Sequence, residues 1–75
     1  MTEADPVSWK VVEPGWKVLD ESGDELGRVK EITGDPEADI FDGVEITHGL
    51  LPKTEYVPSE RVVEIRQGEV IVRQT

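Results

Sequence analysis

The sequence predicts an all-β domain, a small antiparallel barrel of five or six strands with one short helical turn. Three observations predict it. The 7 Gly and 5 Pro fall mostly between runs rich in Val, Ile, Thr and aromatics. Within those runs apolar and polar residues alternate, the period of a strand with one buried face. No segment carries apolar residues at i, i+3, i+4 and i+7 over three turns without a Gly or Pro interrupting, so no long helix is expected. Strands this short cannot build two good sheets, and closing one sheet on itself removes its exposed edges.

The first strand is expected from Trp16 to Asp20, after the turn at Pro14-Gly15, with Trp16 and Val18 on one face. Glu21-Ser22-Gly23-Asp24 reads as a turn. A second strand follows from Glu25 to Thr33. Gly27 inside it marks a bulge or a close backbone approach. Gly34-Asp35-Pro36 ends that strand, and a third runs from Asp39 to Thr47 with Ile40, Val44 and Ile46 on one face. Strict alternation would put Asp42 on that same face, so Asp42-Gly43 is expected to bulge rather than bury a charge. A loop from Thr47 to Lys53 precedes a fourth strand, Thr54 to Val57, closed by Pro58. Pro58 to Arg61 suits one helical turn, since proline has the φ a helix start needs. Val62 to Arg66 and Glu69 to Gln74 form a hairpin across Gln67-Gly68.

The domain is expected to span residues 14–75, with 1–13 as an N-terminal arm. That arm is partly disordered or an edge strand, its first five residues being the candidates for disorder. Trp9, Val11 and Val12 could form the edge strand or pack the arm onto the barrel.

Composition bounds the function. A chain of 75 residues has room for one domain and little wall for a deep cleft. Without cysteine there are no disulfides, thiolate metal sites or cysteine nucleophiles. Asp and Glu total 17 against 8 Lys and Arg, and a net charge of −9 opposes binding to a phosphate backbone or an anionic membrane. No nucleic-acid partner is therefore expected. The N-terminus has no apolar core like that of a secretory signal, and no apolar run approaches a membrane span. The expectation is a cytoplasmic protein that does not insert into membranes.

Pro14-Gly15-Trp16-Lys17-Val18, followed by Asp20-Glu21-Ser22-Gly23-Asp24-Glu25-Leu26-Gly27-Arg28-Val29, resembles the opening hairpin of PRC-barrel-like domains. Tyr56-Val57-Pro58-Ser59-Glu60-Arg61-Val62 resembles that family's crossover, and Val63 to Val72 its closing pair. The resemblance covers roughly Pro14 to Arg73, and the chain is also similar to short bacterial and archaeal stand-alone domains near that barrel. The family includes the cytoplasmic domain of the photosynthetic reaction-centre H subunit and the C-terminal domain of a ribosome-maturation factor. The resemblance implies partner binding and assembly rather than catalysis, and no cofactor. Neither a membrane helix nor a second barrel precedes the domain in these residues, so a small stand-alone member is expected.

The residues that could carry chemistry are few. His48 is the sole imidazole, and a nucleophilic triad would need it beside Ser8, Ser22 or Ser59 with an acid behind it. The expected reading is a loop histidine and no catalytic residue. Asp35, Glu37 and Asp39 are spaced like the start of an EF-hand loop, but Ile40 stands where the sharp-turn Gly belongs and Ile46 where the bidentate Glu belongs. They are expected to be solvated, with a weak cation site as the alternative. Arg28, Lys30, Arg66 and Arg73 are interleaved with Glu31, Glu64 and Glu69, so cross-strand ion pairs are expected.

Trp9 with Val7 and Val11 is the first candidate contact patch, because aromatic anchors are enriched at interface cores. Leu50 and Leu51, adjacent in a loop, are the second. The leading expectation is thus a non-catalytic protein-interaction or assembly module, with a homodimer as one form of the contact. The alternative is a small-molecule or divalent-cation binding module using the acidic loop.

Overall fold

A computed structural model describes residues 8–48 and 53–73. Six strands form one sheet: β1 (Lys17–Asp20), β2 (Glu25–Asp35), β3 (Ile40–Thr47), β4 (Thr54–Pro58), β5 (Val62–Arg66) and β6 (Glu69–Val72). Single 3-10 turns occupy Trp9–Val11 and Ser59–Arg61. The order across the sheet is β4-β3-β2-β1-β6-β5. Every strand contributes to one buried cluster: Val18, Val29, Val44, Ile46, Val57, Ile65, Val70 and Val72, joined by Val12 from the N-terminal segment. One sheet can gather one face of all its strands into one cluster only by curling around it.

The expected antiparallel barrel needs two corrections. Strands β1 and β6 pair in parallel, Val18 opposite Val70 and Asp20 opposite Val72. The other four pairings are antiparallel. The cause is the corner at Ser59–Arg61. Because β1 and β6 run the same way, β4 and β5 must also share one direction, so the corner carries the chain onward without reversing it. The sheet is also not closed. β4 and β5 are its two ends, although only three residues separate them. Pro58 has no amide hydrogen to donate, and the 3-10 turn swings the chain away before β5 begins.

Two of the four register shifts among the described residues fall where the sequence asks for a bulge; those at Val29/Glu31 and Val62/Glu64 carry no such signal. Val18 lies opposite Gly27 and Leu19 opposite Glu25, leaving Leu26 as the extra residue. A Cβ on Gly27 would overlap the carbonyl oxygen of Thr47, so only glycine lets β2 and β3 approach here. Thr33 lies opposite Gly43 and Gly34 opposite Phe41, leaving Asp42 over. Asp42 is exposed as expected. That bulge resets the alternation, so Phe41 packs on the core and Ile40 stays 53% exposed, against its expected place beside Val44 and Ile46. Trp16 precedes β1 rather than starting it, half-buried against the core.

Residues 8–13 are not an edge strand. Ser8 Oγ accepts from the amide of Lys10, which starts the 3-10 turn, and the turn lays Trp9 and Val12 against the sheet. This is the packed-arm alternative. The final hairpin forms with a two-residue loop, Arg66 opposite Glu69 and Gly68 at φ +87°. In the first turn Asp20 Oδ1 accepts from the amides of Ser22 (2.8 Å) and Asp24 (3.0 Å).

Candidate functional site

The open seam of the sheet carries two depressions. The first is an open groove of about 340 Å³ lined by Ser8, Trp9, Phe41, Ser59, Val62, Val63, Glu64 and Ile65. One wall is aromatic. The Trp9 and Phe41 rings stack at 5.3 Å between centroids, 13° from parallel. Trp9 Nε1 donates to Asp39 Oδ1 at 3.2 Å, and Lys10 Nζ lies 3.5 Å from that same oxygen. A Cβ on Gly34 would stand 3.0 Å from the Trp9 ring, so the indole occupies space that a side chain at Gly34 would claim. The other wall is β5, whose four successive residues Val62 to Ile65 all line the groove. Successive strand residues point to opposite faces. Val63 is the extra residue of a bulge, and among the described residues β5 pairs only with β6, so this wall of the groove is the bulged half of the strand at the end of the sheet.

Exposed apolar side chains lie in the groove and close in sequence to its aromatic wall. Val63 lines the groove and is 46% exposed. Val11, in the same 3-10 turn as Trp9, is equally exposed, and Ile40 adjoins Phe41. Of the expected contact residues, Trp9 lines the groove and Val11 belongs to the turn that carries it. Leu50, Leu51 and Val7 lie outside the described residues.

The second depression, about 260 Å³, is lined by Leu26, Ile46, His48, Glu55, Val57, Arg61 and Val72. Its floor is aliphatic and its rim is charged. His48 Nε2 lies 2.9 Å from Glu55 Oε1, and Arg61 Nη1 lies 3.6 Å from Glu55 Oε2. Arg61 Nε donates to the carbonyl of Arg73 at 2.8 Å, and the amide of Arg73 donates to the carbonyl of Arg61 at 2.7 Å. Glu55 thereby ties the end of β3 to the corner, and Arg61 ties the corner to the end of β6. A base with an orienting carboxylate is present, but among the described residues no hydroxyl or thiol lines the recess. Ser8 and Ser59 line the first groove, and Ser22 lies in the β1–β2 turn. Sequence reasoning missed Glu55 and Arg61 as neighbours of His48. The β3–β4 register, which pairs Ile46 with Glu55, and the corner that carries Arg61 bring them together.

The acidic loop is committed elsewhere. Asp35 Oδ1 accepts from the amides of Glu37 (3.1 Å) and Ala38 (3.3 Å), and Asp39 holds Trp9 and Lys10. Asp39 adopts φ +57°, which turns its carboxylate back toward the arm. Among the described residues no three His, Asp or Glu side chains converge as a metal site. Arg28 and Arg66 pair with Glu25 and Glu64 of their own strands. Arg66 grips Glu64 through two nitrogens, at 2.7 and 3.2 Å. Those hydrogen bonds hold the Glu64 carboxyl below the usual glutamate range, helped by the guanidinium charge and opposed by desolvation.

A family model of the PRC-barrel domain matches residues 15–75. The chain belongs to the PRC-barrel family. The match begins at Gly15 and leaves out the segment bearing Trp9. The aromatic wall of the groove thus joins Trp9, from outside the matched PRC-barrel region, to Phe41, inside it. No curated protein matches the chain. Among the described residues no helix is long and apolar enough to cross a membrane.

Proposed function

We propose that this PRC-barrel chain is a non-catalytic protein-interaction module whose contact surface is the groove between β5 and the Trp9–Phe41 pair. One observation carries the reading: β5, which among the described residues has no partner on its outer edge, lines an apolar groove together with Trp9, Phe41 and exposed Val63. Backbone groups on a strand edge give affinity to an added chain, and neighbouring apolar pockets give it selectivity. β4, the other end strand, finishes in proline and offers a poorer edge.

The test is affinity capture from the source cells with the chain and with Val63→Glu. The substitution puts a carboxylate in the groove at an exposed position, so it should spare the fold. Partners retained by the chain and lost by the variant support the reading. An identical set of retained proteins defeats it.

A further inference from the structure

We propose that the β5 edge pairs with β5 of a second copy of this chain, antiparallel about a twofold axis at Ile65. The proposal rests on reading the groove as a contact surface and goes further by naming its occupant. The sequence order Glu64-Ile65-Arg66 is self-complementary under that operation. A twofold centred on Ile65 sets Glu64 of each copy opposite Arg66 of the other, and the mirrored requirement of an isologous contact is met by adjacent positions on one strand.

Backbone geometry agrees. Arg66 and Glu69 flank the two-residue loop and so form the hydrogen-bonded pair that closes the hairpin. Antiparallel pairing alternates, so the amide and carbonyl of Ile65, opposite Val70, point away from β6 toward the open edge. Two copies then exchange both Ile65 hydrogen bonds across the axis. The bulge between Val62 and Glu64 leaves Glu64 to Arg66 as the regular stretch, the residues this pairing uses.

The side chains agree as well. Ile65 faces the core, which puts Glu64 and Arg66 together on the outer face, where they already form a two-nitrogen ion pair within one chain. Directly opposed strand residues bring their Cβ atoms to about 5 Å. The two intrachain pairs therefore merge into a ring of four alternating charges. Against it stands the net charge of −9 on each copy. Long-range repulsion is screened by salt, whereas touching pairs are screened less. Added salt should accordingly tighten the dimer.

Sedimentation equilibrium of the chain, Glu64→Arg, Arg66→Glu and the double exchange decides it, with circular dichroism confirming the fold of each. The chain should dimerise, more tightly at about 150 mM than at about 20 mM salt. Each single exchange breaks both symmetric pairs and should weaken association by about tenfold or more. The double exchange restores opposite charges at every contact and should recover affinity to within about threefold. A monomer at every concentration overturns the second copy as occupant, while the Val63→Glu capture still decides whether the groove is a contact surface. A dimer indifferent to the single exchanges, or one the double exchange fails to restore, overturns the twofold register.

Discussion

The indole of Trp9 stacks on the ring of Phe41 with centroids 5.3 Å apart, and its Nε1 donates to Asp39 at the tip of the β2–β3 hairpin. One side chain thus fastens the N-terminal segment to two parts of the sheet. Trp9→Ala should lose the stack, the hydrogen bond and the contact over Gly34. For a half-buried indole the expected cost is about 2 kcal/mol, which lowers the melting temperature of so small a domain by about 10 °C. Trp9→Phe keeps a ring on Phe41 and should lose less than half of that. Thermal unfolding of the two variants checks the order.

Gly27→Ala should be more damaging than its size suggests. The added Cβ meets the Thr47 carbonyl, which is backbone and cannot swing away. The expected loss is about 2–3 kcal/mol, as for overpacking in a rigid place. Gly68→Ala is the control. Nothing lies near its Cβ, but its φ of +87° is strained for alanine, so about 1 kcal/mol is expected. Urea unfolding of both variants separates collision from backbone strain.

These two glycines also illustrate what was legible in the sequence. Gly27 and the Asp42-Gly43 step break an alternating pattern, so a bulge could be read from local order alone, as could each strand and the Gln67-Gly68 turn. The parallel pairing of β1 with β6 could not. It depends on the sense of the corner at Ser59–Arg61, and alternation carries no record of chain direction. Ile40 was misplaced for a related reason, because a bulge flips the face of every residue before it. Trp9 was recognisable as an aromatic needing cover, but Gly34, Asp39 and Phe41, which provide it, lie 25 or more positions away. The His48–Glu55–Arg61 cluster draws on three elements, and nothing about each residue separately announces the others.

Glu55 accepts from His48 with one oxygen and faces Arg61 with the other. Glu55→Ala should therefore loosen the corner at Ser59–Arg61. The three side chains are partly exposed, so the expected cost is about 0.5–1 kcal/mol, shrinking as salt rises. Denaturant unfolding at low and high salt measures it. A cost that does not change with salt would assign the loss to packing against the aliphatic floor of Leu26, Ile46, Val57 and Val72.

Glu64 should give the chain an acid-sensitive component of stability. Hydrogen bonds from Arg66 hold its carboxyl below the usual glutamate range, so the folded chain resists protonation at this site more than the unfolded chain does. A carboxyl depressed in this way adds stability that is complete above the usual range and is lost as the pH falls through its lowered folded value. Arg66→Gln removes both the donors and the charge. In the variant the titration midpoint of Glu64, followed by NMR in dilute solution, should rise toward the usual range. The stabilities of the two proteins should differ near neutral pH and converge in acid. Equal midpoints in the two proteins would show that Arg66 does not set the acidity of Glu64.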